Sequence, residues 1–361
     1  MFGMDKIASL LVPFSGEGKL LRQFFECLKK SHDILKYEII LIGDGCSNHD
    51  TIEYAKQLYR HHSVDHLLLF NQSLGFGVAN NEGVKRSTTN RLVFINDDII
   101  LINHEIDLLL QEQKKNNCAA IQPVLLYPQT NTVQSTGHIF GVQFNRHAQQ
   151  GRKFTELRMN SLIERQAITL SFCAINKSVF SSFGRFDPFY YNAYEGLELT
   201  HRIHSSNLGC KVSTSVVAYH IQSSTRNKYA RSEEQYRPYF WIRNHATIRE
   251  DLSSEWEKMI PTDVLRQAFL EINFSPLKME QSVKKVGFII REIINLPLNG
   301  EINLFTALPF DFIQIPLPLL ILCDNFTQLQ KNSLWGTLRN RKDDIVLDSC
   351  GNVVSLAKIV F

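Results

Sequence analysis

Asn96-Asp97-Asp98 follows the apolar run Leu92-Val93-Phe94-Ile95 with no turn residue between them, and this junction is where the chain is best equipped for chemistry. Such a run reads as a buried strand of a parallel sheet, and ligands of these sheets bind just beyond the strands' carboxyl ends. Two adjacent carboxylates there offer hard oxygen ligands suited to Mg²⁺ or Mn²⁺, which keep open positions for phosphate oxygens. The same tripeptide can equally close a strand as a turn or helix cap. The carboxylates alone leave both readings open.

The elements that must carry them alternate regularly through the N-terminal half. Ile7 to Val12 reads as a strand stopped by Pro13, and Leu20, Leu21, Phe24, Phe25 and Leu28 recur behind it at helical spacing. Tyr37 to Ile42 is a second strand, Ile52 to Tyr59 a helix and Val64 to Phe70 a third strand. Asn71 to Gly77 is a glycine-bearing loop, Val78 to Arg86 a helix and Arg91 to Ile95 the fourth strand. Repeated βα units of this kind predict a parallel sheet covered by helices.

Past the aspartates the pattern loosens. Ile106 to Gln113 and Val179 to Phe183 read as helices, while Ala119 to Leu126, Val133 to Phe140, Thr169 to Asn176 and Lys211 to Tyr219 read as strands. The polar stretch 141–166 reads as a loop over the site. Beyond Asp251 the periodicity is helical over Val264 to Ile272 and Val283 to Ile294, ahead of a proline-containing apolar patch, Phe310 to Leu322. The expectation is an α/β domain over residues 1–250 and a smaller, mainly helical domain over 251–361.

Bulk properties exclude several classes. A chain of 361 residues, 44% hydrophobic and 21% charged, suits a soluble globular protein with a sizeable core. A net charge of +3 is too small to imply a nucleic-acid partner. Seven scattered cysteines without a Cys-x-x-Cys pair suit reduced thiols in the cytoplasm and argue against a zinc site. No secretory leader is visible, and no apolar run reaches the length of about twenty residues that spanning a bilayer requires.

Taken in order, a series of segments resembles the inverting, GT-A-fold glycosyltransferases of family two, a group with rhamnosyl-, galactosyl- and N-acetylhexosaminyl-transferases. The series opens with Val12-Pro13-Phe14, Gly43-Asp44-Gly45-Cys46-Ser47, the stretch from Asn71 to Gly83 with Gly75, Asn80 and Asn81, and Phe94 to Asp98. It continues with Gly184-Arg185-Phe186-Asp187-Pro188, Tyr194-Glu195-Gly196-Leu197-Glu198, Val217-Ala218-Tyr219-His220 and Trp241-Ile242-Arg243-Asn244. The fold implied is a mostly parallel twisted sheet flanked by helices. The activity implied is metal-dependent transfer of a sugar from a UDP- or dTDP-sugar to a glycan or lipid-linked acceptor, in surface polysaccharide or glycoconjugate assembly. The place implied is the cytoplasm, at the inner face of the membrane if the C-terminal domain docks there or on a partner enzyme.

Carried over residue by residue, the resemblance places the nucleotide against Pro13, Phe14, Asp44, Gly75, Asn80, Asn81, Asn96 and Asp97. It gives the metal, Mn²⁺ or Mg²⁺, to Asp98 and His220. Asp44 has a local alternative as an Asx turn. Arg226, in the basic loop Ser223 to Lys228, can clamp a diphosphate or simply face solvent.

The chain departs from the family at one place that matters. Relatives read Glu-Asp-x-Asp where this chain has Glu195-Gly196-Leu197-Glu198, so glycine stands where the base is expected. Glu195 is the favoured replacement and Glu198 the second, although Glu198 and Arg202 are four apart and can pair on one helix face. Shifted alignment and lost activity are the competing explanations. A non-catalytic sugar-nucleotide-binding scaffold and a nucleotidyltransferase are the rival functions. The second normally has a glycine-rich basic loop at the first strand, and Ser15-Gly16-Glu17-Gly18-Lys19 is poor in cations.

Overall fold

Apolar side chains at successive positions, as in Leu10-Leu11-Val12 and Ile39-Ile40-Leu41-Ile42, can all be buried only in strands covered on both faces. The computed structural model places them so. It describes residues 5–16, 18–141, 144–157, 161–221, 230–249 and 251, with 320–322, 345–347 and 353–355. The order opens β1 (Ala8–Phe14), α1 (Gly18–Ser31), β2 (Tyr37–Asp44), α2 (His49–Arg60), β3 (His66–Phe70), α3 (Phe76–Val84) and β4 (Arg91–Ile95). It continues with β5 (Ile99–Ile100), α4 (Glu105–Lys115), β6 (Ala120–Leu126), β7 (Val133–Ser135), β8 (His138–Gly141), β9 (Phe144–His147) and β10 (Leu162–Glu164). Then come β11 (Phe172–Asn176), α5 (Lys177–Ser182), α6 (Glu195–His204), β12 (Cys210–His220) and α7 (Ala230–Asn244).

The parallel pairings that the βα repeats predict run through β4-β1-β2-β3, with Leu10 beside Ile39 on one side and Val93 on the other. Alternate residues then fill two cores. Leu10, Val12, Ile39, Leu41 and Val93 pack with Phe24, Phe25, Leu58 and Leu109 of α1, α2 and α4. Leu11, Ile40, Ile42, Leu92 and Phe94 pack with Ala79, Phe180 and Leu199 of α3, α5 and α6.

Beyond β4 the sheet becomes mixed. β11 inserts antiparallel between β4 and β6, and β12 runs parallel to β6 with a register shift between Ser213 and Val217. The last residues of β12 pair antiparallel with β5, setting Tyr219 opposite Ile100 and His220 opposite Ile99.

Two expectations are corrected. Val133 to Phe140 is two strands, because Gly137 breaks the run at φ +88° beside the Arg165 side chain. The stretch 141–166 carries β9, a 3₁₀ turn at Phe154–Glu156 and β10 where a plain loop was expected.

The chain divides into two compact units, residues 1–138 with 147–248, and residues 139–146 with 249–361. In the second unit Phe140 and Asp251 exchange hydrogen bonds, and three strands, β13 (Leu320–Leu322), β14 (Ile345–Leu347) and β15 (Val353–Ser355), form a sheet. The helices expected over Val264 to Ile272 and Val283 to Ile294 lie outside the described residues. Among the described residues, no helix is long and apolar enough to cross a membrane.

The end of α1 is fastened to the start of α4 through His32. Its Nε2 accepts from the Ile106 N–H at 3.2 Å and its Nδ1 faces Ser31 Oγ at 2.6 Å, an arrangement only the neutral ring satisfies alongside the Ser31 bond to Cys27 O. Burial pushes His32 down to about 4, so the unfolded chain takes up its proton first as pH falls. The stability it contributes is therefore complete above about pH 6.5 and lost on descent towards 4. Thermal unfolding followed by circular dichroism should show a steeper fall in Tm across that window for the wild type than for His32→Gln; parallel curves would contradict the assignment.

Candidate active site

Four loops leave the carboxyl edge of the parallel strands, and those after β1, β2 and β3 are tied to one another there. Asp44, at the end of β2, reaches the loop after β3: its carboxylate accepts from Ser73 Oγ (2.8 Å), Leu74 N (2.5 Å) and Gly75 N (3.1 Å). The chains come so close that a Cβ on Gly45, at φ +66°, would lie 2.4 Å from the Ser73 nitrogen. The loop after β1 joins through the Gly16 carbonyl, which accepts from Thr51 Oγ1 at 3.3 Å.

At the end of β4, Asn96 N–H donates to Ser171 O at 2.8 Å, and the two aspartates follow. Burial and the charge of Asp98 push the Asp97 carboxyl up to about 8, against a lowering by its own backbone amide. Asp98 Oδ1 lies 3.1 Å from His220 Nε2, across the β5–β12 pairing. The backbone holds the pair in place, since Ile221 N–H donates to Asp98 O at 3.0 Å.

The donor set fits a divalent cation of the hard type. Among the described residues no three His, Cys, Asp or Glu side chains converge on one point, so Asp98 and His220 would supply two ligands to a cation held here. Mg²⁺-type sites of one or two protein ligands take their remaining oxygens from phosphate and water. Gln134, 4% exposed, fixes the orientation of the His220 ring. Its Nε2 donates to the His220 carbonyl at 3.2 Å, which turns its Oε1 toward His220 Nδ1 at 2.5 Å. A carbonyl oxygen can only accept, so Nδ1 carries a proton, and whenever the ring is neutral its lone pair is on Nε2, facing the carboxylate. A carboxylate oxygen and a ring nitrogen 3.1 Å apart are a pair that a proton or a metal ion can join.

The glutamates of α6 have separated roles. Glu195 is 4% exposed, and its Oε1 is buried without a hydrogen-bond partner. Burial raises its carboxyl to about 7, with backbone amides at Glu195, Asn192 and Gly77 pulling the other way. Tyr194, held at φ +71°, and Asn192, at φ +57°, turn the chain through left-handed backbone to begin the helix there. Glu198 instead binds Arg202 Nη2 at 2.7 Å, and Arg202 also donates to the carbonyls of Phe183 and Arg185. That pairing makes Glu198 a strut of the fold. Gly196 faces inward: a Cβ there would lie 2.9 Å from Leu170 Cγ, a buried core side chain. No carboxylate fits at 196 without displacing it.

Other expected residues make contacts within the fold. Phe14 is 2% exposed and packs over Gly43, which leaves the half-buried Pro13 and the backbone at the rim. Asn81 exchanges two hydrogen bonds with the Phe186 backbone, and Asn80 Nδ2 donates to Phe76 O, so both fasten α3 while Asn80 Oδ1 stays buried and unpartnered. Gly75, at φ +83°, lies under the Tyr191 ring, and Asn192 Oδ1 accepts from Phe76 N at 2.8 Å. Arg226 lies outside the described residues. Gln134, Tyr191 and Asn192 carry no motif that singles them out in the sequence.

Residues 9–183 match Glycosyl transferase family 2. That match takes in a little under half of the chain. Along 65% of its length the chain is 24% identical to the O-antigen biosynthesis protein RfbC of Myxococcus xanthus, of which the match spans 19%. Over 65% of its length the chain is similar in fold to the crystal structure of GalNAc-T7 with UDP, GalNAc and Mn2+, at a TM-score of 0.51 and 15% identity, covering 50% of that chain. The fold is therefore GT-A, and the chain spans about a fifth of one relative and half of the other.

Asp44 gives a direct test of whether this edge is held by internal bonds. Asp44→Ala removes the acceptor of three donors, each worth about 1 kcal/mol net, and should lower unfolding free energy in urea by about 3 kcal/mol. A change below about 0.5 kcal/mol, the range of an ordinary surface substitution, would mean the carboxylate serves a ligand alone.

Proposed function

We propose that the chain is an inverting, metal-dependent glycosyltransferase that moves a sugar from a UDP- or dTDP-sugar to a glycan or lipid-linked acceptor in surface polysaccharide or glycoconjugate biosynthesis. The observation that carries the proposal is the meeting of Asp98 and His220 at 3.1 Å on the carboxyl edge of a family 2 domain. A cation held by that pair supplies neutralisation of the charge that gathers on the departing diphosphate. The O-antigen protein and the UDP- and Mn2+-bound neighbour support the same substrate classes.

The remaining steps belong to side chains of this protein. Glu195 takes the proton of the acceptor hydroxyl as that oxygen bonds to the anomeric carbon, while the bond from that carbon to the diphosphate oxygen breaks. A carboxylate raised to about 7 by burial suits the task, being strong enough as a base and still ionised near neutrality. Asp44 holds the loop before α3, and that loop and the α3 start in turn wall Glu195 through Gly77. Work on cytoplasmic donors at the inner face of a membrane is the setting we propose.

The second reading, a sugar-nucleotide-binding scaffold, draws on Gly196. Assay with a panel of sugar nucleotides and Mn²⁺ separates the two, because a scaffold binds without turnover. Glu195→Gln should lower transfer by about 10²- to 10⁴-fold and leave UDP binding within about threefold. In the wild type, transfer should fall as pH drops below about 7, where Glu195 takes up its proton. Full turnover by Glu195→Gln would move the base elsewhere.

A further inference from the structure

We infer that Gln134 is a positioning residue for the cation site: it fixes the tautomer of His220 so that Nε2 is delivered as a ligand. The inference rests on the reading of Asp98 and His220 as the cation pair. Gln134 lies on β7, outside every motif of the family resemblance, and is 4% exposed. A buried glutamine is held there by its hydrogen bonds, and both ends of this amide are engaged by one residue.

The His220 carbonyl can only accept, so the Gln134 group facing it at 3.2 Å is Nε2, the donor. Oε1 is then the atom facing His220 Nδ1, and it accepts the Nδ1 proton. With Nδ1–H committed, the lone pair of the neutral ring is on Nε2, the nitrogen 3.1 Å from Asp98 Oδ1. Metal-bound histidines as a class have their other nitrogen donating to an oxygen acceptor, and removing that acceptor weakens metal binding about 10- to 100-fold. β7 pairs with β6, with Leu125 opposite Ser135, and β6 pairs with β12, so the sheet itself holds Gln134 against the end of β12.

The test uses Mn²⁺ as probe, with free Mn²⁺ counted by electron paramagnetic resonance in the full-length protein, with and without UDP. Gln134→Leu keeps the bulk of the side chain and removes both hydrogen bonds; it should weaken Mn²⁺ about 10- to 100-fold. In a His220→Ala background the same substitution should change affinity less than about twofold, because its effect is routed through the ring. Nitrogen-15 spectra of the His220 ring, assigned by loss of the signal in His220→Ala, should show the Nδ1–H tautomer in the wild type. This last reading does not require the variant to fold.

The outcomes are distinct. Wild-type protein that takes no Mn²⁺, with or without UDP, overturns the cation site and the inference together. Wild-type binding that Gln134→Leu leaves unchanged, or an Nε2–H ring in the wild type, overturns the role of Gln134 and leaves the cation site standing.

Discussion

Asp98 Oδ1 and His220 Nε2 face each other at 3.1 Å, a pair that a proton or a cation can join, and the sheet forces that encounter. Asp98 stands three residues past the end of β4, and His220 ends the eleven-residue β12, a strand that the chain reaches only after completing α6. The short pairing of β5 with β12 closes the distance. β12 in turn is held along most of its length by β6, so the position of His220 is set by the sheet as a whole. Gln134 then removes the remaining freedom of the ring.

The second constraint is the crowding around the first turn of α3. Asp44 and Gly45 press on Ser73 and Leu74 from one side. Tyr191, Asn192 and Glu195 press on Gly75, Phe76 and Gly77 from the other. Glycine at 75 and 77 is what lets a ring and a glutamate approach so closely. The cost is a buried carboxylate with an unpartnered oxygen and left-handed backbone at Asn192 and Tyr194 before α6, a pattern of local strain that clusters at functional sites.

Much of this was legible in the residues. The βα repeats gave β1 to β4 and the three helices between them, because strands buried on both faces leave unbroken apolar runs that few other structures tolerate. Asp98 with His220 was legible only by resemblance, since 122 positions separate them and no local pattern joins them. Phe14 misled, because an aromatic ring at a strand end looks the same whether it faces a base or fills the core beneath Gly43. Glu198 was correctly open to a structural reading through its spacing to Arg202. The mixed half of the sheet was harder, since antiparallel insertion of β11 depends on tertiary pairing with β4 and β6. Gln134 left no trace in the sequence, because its role arises from a sheet register two strands away.

The most direct measurement is a crystal structure of the protein with UDP and Mn²⁺ bound. The account requires Mn²⁺ within bonding distance of Asp98 Oδ1 and His220 Nε2, with diphosphate oxygens completing its shell at the carboxyl edge of β4. Density for the nucleotide with Mn²⁺ bound elsewhere, or an edge that stays empty at saturating concentrations of both, would contradict it.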